Sequence, residues 1–171
     1  MTYAIVVESK TGNTRKLADA LARELGSEVV TADDSQVDAA IDAAGTVLAG
    51  FWCDKGDCSP AAARVLARLS GKQVFLFGTA GFGGSAEYFD RVLGAVEKHL
   101  PDDAELLGTA MCQGQIAPAS RGRWEAALAK DPEDKRAKMM LATYDAAAGH
   151  PTEADVAHVV AAAKQDRKST R

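Results

Sequence analysis

Ser9-Lys10-Thr11-Gly12-Asn13-Thr14 is a polar loop between an apolar run at residues 3–8 and an amphipathic run that starts at Arg15. This order predicts a strand, a tight turn and a helix N-terminus, where unpaired N–H groups and the helix dipole attract an anion. The loop's hydroxyls and amide add donors, and Gly12 lets the backbone approach a ligand closely. We therefore predict a phosphate-binding loop; the alternative is an ordinary loop with a helix cap. The loop has neither the Walker spacing nor a G-x-G-x-x-G pattern.

The chain of 171 residues is long enough for a core of its own, so we predict a single domain over residues 1–171. Its net charge of −4 argues against nucleic acid and anionic membranes as partners, because both require a basic surface. Three cysteines do not make a disulfide framework. The first residues lack a signal-peptide pattern, and no run reaches the roughly 20 apolar residues of a membrane span. We expect a soluble, cytoplasmic protein.

Five short apolar runs alternate with amphipathic helical patterns along the first two thirds of the chain. The runs at residues 45–50 and 73–78 are apolar on both faces, which is typical of parallel strands covered by helices on both sides. Ligands of such sheets bind at the carboxyl ends of the strands. The loops at residues 9–14, 51–59 and 79–85 follow strands one, three and four, so we expect them to meet at one edge.

The simple alternation stops after Cys112. Helical patterns follow at residues 119–130 and 132–148, and Thr152 with Asp155 predicts the cap of a last helix. Residues 113–151 are therefore interpreted as a helical insertion before the C-terminal helix. The charged stretch at residues 165–171 is predicted to be a frayed tail.

With these loops placed, the chain resembles a flavodoxin. The loop at residues 9–14 matches the FMN-phosphate loop of that family position for position, and the resemblance covers about residues 1–112 and the final helix. It implies an α/β fold, namely a doubly wound five-stranded parallel sheet of order 2-1-3-4-5 with non-covalently bound FMN. The insertion resembles a flavodoxin-like subgroup with Cys-Gln-Gly after strand five and Gly-His-Pro before the last helix, present here as Cys112-Gln113-Gly114 and Gly149-His150-Pro151.

The resemblance also assigns roles in the loop at residues 51–59. Trp52 is predicted to stack on the flavin ring, the alternative being an anchor to the core, for which Phe51 is the better candidate. Gly56 is predicted to lie in a peptide that flips when flavin N5 takes up a proton; the alternative is an ordinary turn. Lys55 departs from the acidic surroundings typical of low-potential flavodoxins and would tune the flavin potential.

The glycine-rich loop at residues 79–85 is expected to flank the other side of the ring. Thr79 and Gly81 lie where backbone N–H groups could reach the flavin, and Phe82 would cover the second ring face. Family members commonly carry Tyr there, and Tyr88 is the rival, although it falls where the next helix has begun. Plain loop flexibility is the alternative explanation of the glycines.

The remaining chemistry-bearing residues are scattered along the sequence. Cys53 and Cys58 have C-x₄-C spacing, which supports neither a metal site nor a redox disulfide without further ligands. The histidines are expected at surface positions: His99, His150 and His158. We therefore predict no metal and no catalytic residues.

The function expected from these features is that of an FMN-binding electron carrier. Its partners would be the flavin, a reductase and an acceptor enzyme, and its acidic surface suits weak docking onto basic patches. The alternative is an enzyme, an FMN-dependent NAD(P)H:quinone-type oxidoreductase whose insertion supplies a pocket. A third reading is a non-redox interaction module on the same fold.

Overall fold

The computed structural model describes residues 2–169, with side chains up to residue 165. Within this part of the chain, strands and helices alternate up to the sixth strand, except that a short fourth strand directly follows the third, and three helices follow the sixth strand. The strands are β1 (Tyr3–Val7), β2 (Val29–Thr31), β3 (Thr46–Asp54), β4 (Asp57–Cys58), β5 (Gln73–Ala80) and β6 (Glu105–Gln113). The helices are α1 (Asn13–Leu25), α2 (Val37–Ala43), α3 (Pro60–Leu66), α4 (Ala86–Glu97), α5 (Pro118–Lys130), α6 (Lys135–Ala147) and α7 (Glu153–Ser169).

The sheet has the predicted doubly wound topology. Five strands run parallel in the order β2-β1-β3-β5-β6, which is the order 2-1-3-4-5 of the sequence prediction once the short β4 is set aside. The two-residue β4 lies off this path and pairs antiparallel with the end of β3. The chain therefore has the predicted flavodoxin-like fold, and its strand order reverses between β1 and β3.

Helices cover both faces of the sheet, as the apolar runs predicted. Successive residues of each central strand point to opposite faces, so Val6 joins one core cluster while Ile5 joins the other. The first cluster packs under α2, α3 and α4, and the second packs under α1 and α7. Burial of this apolar surface on both sides supplies the main driving force for folding.

Two predicted loops begin later than expected because their strands continue. The loop predicted at residues 51–59 is strand up to Asp54: Phe51 and Trp52 pair with β5, and a turn at residues 54–57 leads into β4. Strand β5 likewise continues to Ala80, where Thr79 and Ala80 pair with β6. The polar loop at residues 9–14 is shorter than predicted, because α1 already begins at Asn13.

Side-chain caps fix the starts of α3 and α7, and the cap of α7 was predicted from the sequence. The Ser59 hydroxyl accepts a hydrogen bond of 3.2 Å from the Ala62 N–H, and Pro60 occupies the first turn of α3. Thr152 and Asp155 form a reciprocal capping box at α7, with bonds of 2.7 and 3.2 Å. Helix α7 continues through Ser169; the last residues of the predicted frayed tail, 170 and 171, lie outside the described residues.

The insertion forms a hairpin of α5 and α6 against the first loop of the domain. No residue of α5 is buried, so this hairpin is attached mainly at its base. There the Asn13 amide donates to the Gln115 carbonyl (2.8 Å) and Lys16 Nζ donates to the Pro151 carbonyl (2.6 Å). Among residues 2–169, no helix has both the length and the apolar character that a membrane crossing requires.

We expect Gly78→Ala to destabilise the protein by about 1–3 kcal/mol, because overpacking forces core side chains off their rotamers. A Cβ on Gly78 would stand 2.5 Å from Cζ of the buried Phe51 ring. The control is Gly94→Ala on the exposed side of α4, where a Cβ meets nothing within 4 Å; alanine's higher helix propensity should stabilise it by up to about 1 kcal/mol. Urea unfolding measures both, and equal midpoints would contradict the close packing.

Candidate functional site

The three predicted loops meet at the carboxyl edge of the sheet and form two adjoining clefts. The first, of about 180 Å³, lies between the polar loop, Trp52 and the loop after β5. The second, of about 480 Å³, continues from Trp52 to the turn at residues 54–57. Gly12 lies instead on a neighbouring groove. The other predicted site residues line the two clefts: Ser9, Lys10, Thr11, Asn13, Thr14, Trp52, Lys55, Gly56, Thr79, Gly81 and Phe82.

The polar loop presents the N-terminus of α1 to this edge. Gly12 is the N-cap and has φ of +93°, in the left-handed region that glycine adopts without strain. The Ser9 hydroxyl accepts hydrogen bonds of 3.2 Å from the N–H groups of both Gly12 and Arg15, which curls the loop over the helix end. A Cβ on Gly12 would meet nothing within 4 Å, so the backbone here is open to close approach. This geometry suits an anion at the helix N-terminus.

Two side chains that the sequence assigned to ligand binding hold the loop in place. Thr14 is fully buried; its hydroxyl lies 3.2 Å from the Phe51 carbonyl oxygen and 3.0 Å from the Thr79 hydroxyl. The Asn13 amide reaches the Gln115 carbonyl, and Gly114 allows this approach because a Cβ there would stand 2.7 Å from Asn13 Nδ2. The Thr14 hydroxyl and the Asn13 amide are therefore engaged within the protein, and Ser9, Lys10 and Thr11 are the other residues of the loop that line the first cleft.

Trp52 forms the boundary between the two clefts. Its neighbour Phe51 is the core anchor, with 1% of its surface exposed, whereas the Trp52 side chain is only half-buried. Lys10 Nζ lies 5.1 Å from the centre of the Trp52 ring, a cation–π distance. Among the described residues, Trp52 Nε1 is the buried side-chain polar atom without a hydrogen-bond partner. An unpartnered buried donor of this kind points to a missing acceptor.

The turn at residues 54–57 is a two-residue β-hairpin connection. Lys55 has φ of +52° and Gly56 has φ of +83°, the pattern of a type I′ turn. The left-handed conformation suits Gly56 and costs Lys55 about 1–3 kcal/mol, which is typical of a functional segment. The sequence predicted a residue tolerant of positive φ at Gly56 but gave no sign that Lys55 shares this conformation.

An aromatic wall from the insertion stands beside the loop after β5. Phe82 is 51% exposed, and its ring meets Trp124 of α5 edge-on with 5.7 Å between the ring centres. Trp124 in turn contacts Tyr144 of α6 at 6.5 Å. Gly81 is required by packing, since a Cβ there would stand 2.7 Å from Ile116 Cγ1.

Several cleft residues were missed by the sequence analysis because they lie in the insertion. They line the first cleft from the segment just after β6 and the first turn of α5: Gln115, Ile116, Ala117 and Ser120. Only the subgroup motif ending at Gly114 pointed to this region. Tyr88 lies in the first turn of α4, as predicted, yet its ring lines the second cleft. Its hydroxyl lies 3.5 Å from Cys53 Sγ, and this hydrogen bond, with partial burial, raises the pKa of Tyr88 to about 12.

Two of the three histidines do not occupy the surface positions that were predicted. His158 is exposed, as predicted, but His99 and His150 are half-buried and each contacts a carboxylate. His99 Nε2 lies 3.0 Å from both oxygens of Asp57, and His150 Nδ1 lies 2.6 Å from Asp155 Oδ2. Partial burial would raise the pKa of Asp57, but the Cys58 N–H and the His99 ring outweigh it and hold that pKa below its usual value.

Comparison with known proteins agrees with this geometry. The sequence profile described as "Flavodoxin domain" matches residues 4–164. The flavodoxin-like domain-containing protein BilS of Clostridium symbiosum is 36% identical over 174 residues, covering 92% of this chain and 91% of that protein. The BilS protein of Clostridioides difficile is 30% identical over 159 residues, covering 91% of this chain and 90% of that protein.

A solved structure supports the fold alone. The WrbA-like flavodoxin of Agrobacterium tumefaciens superposes with a TM-score of 0.54 at 17% identity, covering 68% of this chain and 85% of that one. At that identity the likeness extends to strand order and helix placement and carries no residue role.

We expect Thr14→Val to lower the free energy of unfolding by about 1–3 kcal/mol, because the Phe51 carbonyl and the Thr79 hydroxyl lose a buried hydrogen-bond partner. Thr11→Val is the matched control: that residue is exposed and its hydroxyl contacts Asn13 at 3.3 Å, so its loss should change stability by less than about 0.5 kcal/mol. Urea unfolding followed by circular dichroism gives both values. Equal losses in the two variants would contradict a central role for Thr14.

Proposed function

This chain belongs to the flavodoxin domain family, and on that premise we propose that it binds FMN at the carboxyl edge of its sheet and carries electrons between a reductase and an acceptor enzyme. One observation carries the proposal. The N-terminus of α1 and the half-buried side chain of Trp52 line clefts that adjoin each other. A phosphate with an attached flat heterocycle fits the two clefts at once.

The phosphate end of the proposed ligand is supported by the polar loop. Backbone N–H groups at a helix N-terminus bind a phosphate without any arginine, and the loop adds the hydroxyls of Ser9 and Thr11. Lys10 supplies a positive charge at the mouth of the first cleft. Thr14 and Asn13 contribute by position, since they fix the loop to β3, β5 and the insertion.

The ring end is supported by Trp52 and the hairpin turn. An indole offers a broad flat face for stacking on a planar ring. Its Nε1–H lies in the plane of the indole, so the acceptor of that donor would be a group beside the stacked ring and not the ring itself. The turn residues Lys55 and Gly56 line the second cleft with Trp52, so their peptide groups are available to the ring edge. The two clefts, of about 180 and 480 Å³, are together within the size range of cofactor pockets.

The residues of the chain would bind the cofactor, shield it and set its potential. Bound FMN supplies the electron chemistry, accepting and passing on electrons. Lys10 and Lys55 favour a negatively charged reduced flavin, while Asp54 in the same cleft opposes it. Asp57 follows the turn, and the low pKa of its carboxyl keeps that charge negative at neutral pH. Phe82 is exposed beside the cleft and offers an apolar surface to a docking partner.

The first test is a visible spectrum of the purified protein followed by titration with FMN. The chain has two tryptophans, Trp52 and Trp124, so Trp124→Phe leaves Trp52 as the single fluorescent reporter. We expect one-to-one quenching in Trp124→Phe and roughly five- to hundredfold weaker binding in Trp52→Leu, because stacking of a heterocyclic base on an aromatic side chain is worth about 1–3 kcal/mol. Absence of flavin bands and of quenching at high FMN would overturn the proposal and favour the non-redox interaction module.

The insertion favours a second candidate, an FMN-dependent NAD(P)H oxidoreductase acting on a quinone or a similar small molecule. Its residues Ile116, Ala117 and Ser120 line the first cleft, so the insertion contributes directly to the proposed cofactor site. In an enzyme the same residues would also contact a substrate bound beside the flavin. In a simple carrier they would serve only to hold and shield the cofactor.

Anaerobic mixing of the FMN-loaded protein with NADPH and with NADH distinguishes the electron carrier from the oxidoreductase. For a carrier we expect the flavin absorption to persist for minutes and to bleach within seconds once a catalytic amount of a flavin-containing reductase is added. Rapid bleaching by the pyridine nucleotide alone would favour the oxidoreductase over the electron carrier.

A further inference from the structure

Asp57, Cys58 and His99 form a side-chain cluster that the proposed flavin site does not use. Asp57 and Cys58 constitute β4, and His99 follows the C-terminus of α4. A carboxylate oxygen of Asp57, the Cys58 sulfur and a ring nitrogen of His99 all lie within 4.8 Å of one another. The cysteine is buried and the other two side chains are half-buried. We name this group the β4–α4 cluster.

The atoms of the cluster are close enough to share one metal ion. A tetrahedral ion with bonds of about 2.0–2.3 Å holds its ligand atoms roughly 3.3–3.8 Å apart. In the structure His99 Nε2 is 3.0 Å from each Asp57 oxygen, and the Cys58 sulfur lies within 4.8 Å of both groups. Small rotations of the side chains would therefore bring the three ligand atoms to this spacing.

The two oxygens of Asp57 have different hydrogen-bond partners. Oδ1 accepts a hydrogen bond of 2.7 Å from the Cys58 backbone N–H, which fixes the orientation of the carboxylate. Oδ2 lies at the same distance from His99 and is left to serve as the ligand. Ligands oriented in this way by neighbouring groups are typical of built metal sites.

We propose that the β4–α4 cluster binds one divalent transition-metal ion of the zinc class through Asp57 Oδ2, Cys58 Sγ and His99 Nε2. One sulfur, one nitrogen and one oxygen ligand suit Zn²⁺ or Co²⁺ and exclude Mg²⁺ and Ca²⁺, which prefer oxygen ligands alone. Binding replaces the S–H bond of Cys58 by a metal–sulfur bond, and the proton leaves to water. Water completes the fourth position. The proposal does not depend on bound FMN.

The ion would join two elements on the far side of the proposed flavin cleft. Strand β4 is connected to the Lys55–Gly56 turn without any intervening residue, and α4 carries Tyr88 at the same cleft. A metal held by β4 and the end of α4 would therefore restrain the hairpin from behind. Its free energy of binding would add to the stability of the folded state.

The test is a titration of the chelator-treated full-length chain with Co²⁺, with any FMN left in place. A thiolate ligand gives Co²⁺ a charge-transfer band in the near ultraviolet, and a tetrahedral site gives strong ligand-field bands at wavelengths longer than flavin absorption. We expect one equivalent of Co²⁺ to produce both and Zn²⁺ to displace them. The Cys58→Ser variant should lose the charge-transfer band, and His99→Gln should bind at least tenfold more weakly.

Cys53→Ser is the matched control. Cys53 lies opposite Cys58 in the same hairpin but outside the cluster, so this variant should keep both bands. Because Cys58→Ser alters a buried position, a thermal readout on His99→Gln provides a second test: Zn²⁺ should raise the melting temperature of the wild type and not of this variant. Bands that persist in Cys58→Ser, or a wild type without bands at one equivalent, would overturn the site.

Discussion

The hydroxyl of Thr14 is the contact on which the site depends. It is completely buried and reaches the Phe51 carbonyl at 3.2 Å and the Thr79 hydroxyl at 3.0 Å. These three residues belong to the three segments that line the clefts, so one buried hydroxyl sets the distance between the first turn of α1 and the ends of β3 and β5. A polar group buried without partners costs about 1–3 kcal/mol, and this one has two partners. The edge of the sheet is therefore preorganised before any ligand arrives.

The insertion builds on the same turn. Asn13, next to Thr14, donates to the Gln115 carbonyl, and Gly114 is small enough for the amide to pass. Lys16, one helical turn further on, donates to the Pro151 carbonyl at the other end of the insertion. Both ends of residues 113–151 are thus bonded to the N-terminus of α1. Helices α5 and α6 have little core of their own, and their position follows from these two attachments together with the aromatic contact between Phe82 and Trp124.

The features predicted correctly from the sequence are those carried by local patterns. Apolar runs with two buried faces predicted the parallel sheet, the family resemblance carried by the loop at residues 9–14 implied its strand order, and Thr152 with Asp155 predicted the start of the last helix. The hairpin at residues 54–57 was missed because Asp-Lys-Gly-Asp is an ordinary turn sequence, and only pairing with β5 extends the strand to it. The role of His99 could not be predicted either, since 40 residues separate it from Cys58 and only the packing of α4 on β4 brings them together.

The hairpin explains how two distant chemistries could be coupled. Cys53 and Cys58 are register partners, as are Asp54 and Asp57, so no unpaired residue separates the β4–α4 cluster from the turn at Lys55 and Gly56. Lys55 already occupies a left-handed conformation that costs about 1–3 kcal/mol, which leaves Gly56 as the one residue of the turn that can change conformation without strain. A displacement of Asp57 is therefore passed first to Gly56 and through it to Lys55. Since charge beside a flavin shifts its potential, a displacement of Lys55 by a few tenths of an ångström is a physical route from β4 to the cleft.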